Sequence, residues 1–77
     1  MKKIEDVLKE LHSDNDYSSS TDFIADGLID SFDVMRLISL IEQEYGVRVA
    51  GTDLMPMNFS SIPAIRKLLS GYGVENC

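Results

Sequence analysis

Val34, Leu37, Ile38, Ile41 and Tyr45 fall on one face of an α-helix at about 100° per residue, in a run that no proline interrupts. Gly46 supplies a stop. The spacing predicts a helix from Ser31 to about Tyr45, and its apolar stripe must be buried against other elements. Residues 2–11 carry a second stripe at Ile4, Val7, Leu8 and Leu11. A third lies at Ile62, Ile65, Leu68, Leu69 and Tyr72, with Ser60 or Ser61 as cap, Pro63 in the first turn and Gly71 as the stop. Between the last two helices, Thr52 or Asp53 can cap a short helical turn over Leu54 to Met57, where Pro56 is tolerated. "VRV" at Val47–Val49 has strand composition but nothing to pair with. The expected fold is therefore all-α, a small four-helix bundle of three main helices and one short helix.

The first loop is long. Residues 13–22, "SDNDYSSSTD", are turn formers and solvated polar groups. Phe23, Ile24, Leu28 and Ile29 then give the segment enough apolar weight to pack rather than wander. One domain is expected over residues 1–72, with residues 73–77 as a frayed tail. With 77 residues, the core should supply only about 3–5 kcal/mol.

Charge narrows the function. The net charge is −6, which argues against nucleic acid, whose phosphates need a basic face. Asp14, Asp16, Asp22, Asp26, Asp30, Asp33, Glu42 and Glu44 lie in one stretch that holds a single base, Arg36. A field of this kind keeps a protein soluble and also steers basic partners. No apolar run approaches the length of a membrane span. "MKKIEDVLKE" opens with two lysines but has no apolar region behind them, so the chain is expected to be a cytoplasmic monomer. Cys77 has no second cysteine to pair with, and His12 alone cannot anchor a metal site. "DND" at Asp14–Asp16 lacks the glycine of a calcium loop, whose twelfth position would be Ala25.

Ser31 stands where the acidic loop meets the apolar helix, between Asp30 and Asp33. One reading makes it a helix N-cap, its oxygen accepting a backbone N–H of the next turn. A catalytic serine would need an adjacent base and oxyanion donors, and the sequence offers neither a neighbouring lysine nor a G-x-S-x-G elbow. A third reading makes Ser31 a modification site, since a phosphate ester at a helix N-terminus meets orphan N–H groups and the positive end of the helix dipole. Phe32 and Met35 fall on the outer face of the same helix, beside Arg36. With Asp33 and Met57 they make a candidate docking surface.

"GLIDSFDVMRLISLIEQEYGV" resembles the core of the acyl carrier and peptidyl carrier proteins. Their signature is an aspartate–serine pair followed by a large apolar residue, opening the second of four helices. Asp30, Ser31 and Phe32 match it in turn. The resemblance extends to the amphipathic first helix, the long loop and "NFSSIPAIRKLL". Gly27 and Leu28 stand interchanged relative to the usual fatty-acid carrier, and Pro56–Ile62 is closer to carriers of D-alanine, amino acids or specialised acyl groups.

The resemblance implies 4′-phosphopantetheine on Ser31, placed there by a phosphopantetheinyl transferase from coenzyme A. It implies a thioester-bound acyl or aminoacyl group, loaded by a ligase and presented to downstream enzymes, and no catalysis by the chain itself. The competing reading is a non-covalent acidic adaptor in which Ser31 is only a cap.

Overall fold

The structure, a computed structural model, describes residues 2–77. Its elements run α1 (Ile4–Leu11), α2 (Ser31–Tyr45), a 3₁₀ turn (Gly51–Asp53), a second 3₁₀ turn (Pro56–Phe59) and α3 (Ile62–Gly71), with no strand among the described residues. α1 packs on both α2 and α3, and the second 3₁₀ turn bridges α3 and α2. The fold is the expected all-α one, with two 3₁₀ turns in place of the short fourth helix.

The three stripes make the core. Ile4, Val7, Leu8 and Leu11 meet Val34, Leu37 and Ile41 of α2 and Ile62, Ile65 and Leu69 of α3 in one buried cluster. Ile38, Tyr45 and Leu68 pack at its edge. Gly46 ends α2 in the left-handed conformation, φ 66°, and its N–H reaches Glu42 O. Val47–Val49 forms no strand, and the Val49 N–H donates instead to Glu42 Oε2 at 2.9 Å.

The short element lies further along the chain than its sequence predicts. Leu54 and Met55 are not helical; the turn begins at Pro56, with Met55 extended before it. A residue preceding proline is pushed out of the helical region, which moves the start past Met55. Phe59, at the end of this turn, is fully buried.

The loop packs as its apolar residues require. Phe23 is fully buried and meets Tyr17 edge-to-face, with ring centroids 5.2 Å apart. Ile29 is buried as well, while Ile24 points out. Asp22 Oδ1 accepts the N–H groups of Ile24 and Ala25, each at 3.1 Å. The Phe23 N–H donates to Ser60 O at 2.6 Å, which fastens the loop to the start of α3.

The tail is not frayed. Gly71 is the last residue of α3, and the left-handed residue is Gly73, φ 82°. The Val74 N–H donates to Leu69 O at 3.0 Å and the Gly73 N–H to Ser70 O at 3.1 Å, the paired bonds of a Schellman ending. Val74 is thereby turned into the core, and Cys77 is buried too. Lys3 has no side chain able to cap α1, and Cys77 O supplies an acceptor instead, taking the Ile4 N–H at 2.6 Å. Lys3 Nζ donates to Asn76 O at 3.0 Å.

Candidate functional site at the start of the second helix

Asp30, not Ser31, caps α2. Its backbone is extended, φ −117° and ψ −174°, and its Oδ1 accepts the Asp33 N–H at 2.9 Å. Asp33 Oδ2 returns the bond by accepting the Asp30 N–H at 3.1 Å. This is a capping box with aspartate in the place usually held by glutamate. Ser31 is the first helical residue, and among the described residues no partner meets its exposed hydroxyl. The cap reading of Ser31, on which the adaptor alternative rests, is thus displaced by one residue.

Asp33 is not the free docking carboxylate that its sequence position suggests. Its residue exposure is 9%, and His12 Nε2 lies 2.9 Å from Oδ2. An ionised carboxylate only accepts, so Nε2 carries the proton. Arg36 stands 3.7 Å from Oδ1, a charge contact without a hydrogen bond. The His12 hydrogen bond above all, then the Asp30 N–H and the charges of His12 and Arg36, hold the Asp33 carboxyl below the usual carboxylate range, against burial, which pushes it up.

A depressed carboxylate contributes stability above its unfolded value, 3.8, and loses it as pH falls through the folded value. Wild type should therefore melt above Asp33→Asn near neutral pH, and the gap should narrow as pH is lowered below 3.8. Melting curves across that range check this; a gap constant with pH would mean that Asp33 contributes nothing as an ion.

An open groove of about 770 Å³ runs beside Ser31, lined by His12, Asp14, Asn15, Ile24, Gly27, Leu28, Ile29, Asp30 and Asp33. Asn15 Nδ2 donates to Leu28 O at 3.0 Å and steadies its loop side. His12 and Ser31 both line this groove, yet no hydrogen bond joins them among the described residues. Ser31 therefore presents an exposed oxygen with no base bonded to it among the described residues.

A family model described as "Phosphopantetheine attachment site" matches residues 1–69. The chain belongs to that family. Searches of curated proteins and of solved structures returned no match. Carrier domains of this family take 4′-phosphopantetheine covalently, are served by transferases and acyl-handling enzymes, and have no catalysis of their own. No helix among the described residues of this carrier domain is long and apolar enough to cross a membrane.

The carrier domain exposes large apolar groups on the first turns of α2 and on the segment before and within the second 3₁₀ turn. Phe32 is 77% exposed and Met35 68%, and Met57, on the second 3₁₀ turn, is 66% exposed beside exposed Leu54 and Met55. Arg36 is exposed as well. His12 is the site residue that sequence reasoning missed. Only the D-x-x-D spacing of Asp30 and Asp33 signalled the box, and nothing along the chain signalled a histidine 21 residues before Asp33.

Proposed function

We propose that Ser31 is the residue that receives 4′-phosphopantetheine, and that the chain carries an acyl or aminoacyl group as a thioester on that arm. The observation that carries the assignment is the free Ser31 hydroxyl at the first position of α2, left unbonded because Asp30 does the capping. The residues present fit the group. The Ser31 and Phe32 N–H groups meet no acceptor among the described residues, and with the positive end of the helix dipole they would favour the negative charge of a phosphodiester on Ser31.

In the transfer, the Ser31 oxygen attacks the coenzyme A phosphorus proximal to the pantetheine. The pyrophosphate bond breaks, the adenosine bisphosphate leaves, and the serine proton passes to a base of the transferase. When bound, the arm supplies a terminal thiol, and tethering raises the effective concentration of its cargo at each partner. Phe32, Met35, Arg36 and Met57 form the surface on which transferase, loading ligase and acyl-using enzymes dock. Asp33 is left out of it, its carboxylate engaged within the domain.

The test is an intact mass after incubation with coenzyme A, Mg²⁺ and active transferases. One phosphopantetheine should be gained per chain, and an unchanged mass with several active transferases would remove the reading.

The acidic field has its own consequence. Association with the transferase should weaken as salt rises, because the Debye length shrinks from about 10 Å at 0.1 M to about 3 Å at 1 M. Asp30→Asn removes a charge yet keeps a good cap, so it should slow association without unfolding α2. If neither salt nor Asp30→Asn changes the rate, the cluster serves solubility alone.

A further inference from the structure

His12 follows α1 directly, and its ring is half-exposed. It reaches across to α2 and donates from Nε2 to Asp33 Oδ2 at 2.9 Å. The same oxygen accepts the Asp30 N–H at 3.1 Å. One carboxylate oxygen therefore joins three points of the chain: the end of α1, the cap residue and the first turn of α2. Asp30 Oδ1 and the Asp33 N–H close the ring at 2.9 Å. Ser31 and Phe32 are the two residues held inside that ring.

The two bonds of the box are local and fix the backbone from Asp30 to Asp33. They do not fix the box relative to the rest of the bundle. Arg36, the other charged neighbour of Asp33, comes from α2 itself and stands at 3.7 Å, so it cannot register α2 against α1. The His12 bond can, because it comes from the residue that ends α1 and reaches a buried carboxylate on α2. Hydrogen bonds to charged groups are the stronger class and are directional.

We propose that His12 is a positioning residue for the modification of Ser31. Through Asp33 it holds the Asp30–Asp33 box, and with it the Ser31 hydroxyl, in the orientation that the transferase meets. The inference rests on Ser31 being the attachment residue. Its physical basis is the steep dependence of a group transfer on the placement of the attacking oxygen. A residue acting in this way changes kcat; a residue that merely touches the transferase changes KM.

The experiment follows modification of wild type, His12→Ala, His12→Gln, Asp33→Ala and the His12→Ala/Asp33→Ala double variant. Each is assayed with purified transferase, coenzyme A and Mg²⁺, well below the melting transition of the least stable protein. A purely structural role is silent at that temperature. His12→Ala should lower kcat about tenfold, equivalent to about 1.4 kcal/mol at the transition state, with KM little changed. His12→Gln offers an amide N–H from nearly the same place and should recover most of the loss. In the Asp33→Ala background, His12→Ala should add nothing further, because its only route to Ser31 is gone.

If Asp33→Ala does not fold, amide hydrogen exchange at Asp30 and Asp33, the two N–H groups bonded within the box, takes its place: faster in His12→Ala than in wild type, and restored in His12→Gln. A folded His12→Ala protein modified at the wild-type rate would overturn the role. So would a change in KM alone, or a His12→Ala loss undiminished without Asp33. A wild type that takes up no arm overturns the Ser31 assignment and this role together, whereas equal modification of wild type and His12→Ala overturns this role only.

Discussion

Ser31→Ala should abolish attachment of the arm while leaving the melting transition almost where it was. Loss of attachment is absolute because the transferred phosphorus needs the hydroxyl oxygen and no neighbouring side chain offers a substitute in register. Stability is spared because the cap belongs to Asp30, whose Oδ1 holds the Asp33 N–H whatever stands at position 31. The exposed Ser31 hydroxyl bonds nothing among the described residues, so its removal should stay within about 0.5 kcal/mol. Asp30→Ala is the counterpart. It should cost about 1 kcal/mol through the lost cap and lower the melting temperature, while keeping the hydroxyl. Intact mass and thermal melts of both variants check the pair. A Ser31→Ala protein that still gains the arm would place the attachment elsewhere.

The second large effect lies in the core of α2. Leu37→Ala or Ile41→Ala should cost about 2–5 kcal/mol, the lost transfer energy plus a cavity. Both side chains are fully buried between α1 and the rest of the bundle. A domain of this size commands only about 3–5 kcal/mol in all, so urea titrations of these variants should show a substantial unfolded fraction before any denaturant is added. Phe32→Ala and Met35→Ala, on exposed positions of the same helix, should melt like wild type. Their modification and loading should nonetheless fall, because the docking surface is reduced. A Phe32→Ala protein that melts early and loads normally would move that surface to another face.

What the sequence made legible was periodic. Ile4, Val7, Leu8 and Leu11, and the stripes of α2 and α3, are spaced for helices, and each is buried or lies at the edge of the core except at Tyr72, which follows α3 and whose hydroxyl accepts the Ala50 N–H and donates to Asp53 Oδ2, each at 2.7 Å. Phe23 and Ile29 likewise marked the loop as packed. Two features resisted. Ser31 and Asp30 are adjacent and both are strong caps, so composition does not choose between them. The choice is made by the reciprocal bond from Asp33, in which aspartate does what glutamate usually does. Contacts between distant residues resisted too. The His12–Asp33 bond and the burial of Cys77 depend on how α1 lies against the rest, and no pattern along the chain encodes them. The tail looked free because it is a short terminal segment beyond the last helical stripe, and such segments fray unless something ties them down. Its fixing comes from an unfilled need at the start of α1.

That fastening gives the molecule two poles. α1 starts at the pole where Cys77 O meets the Ile4 N–H, and is followed at its other end by His12, on the carboxylate beside Ser31. Its eight residues set the two ends about 12 Å apart, at about 1.5 Å per residue. Residues 2 and 77 thus lie together on a handle, and Ser31 sits on the head. A linker, a fused neighbour or a solid support joined at residue 2 or residue 77 pulls on the handle alone. The head keeps its full solid angle for the swing of whatever hangs from it.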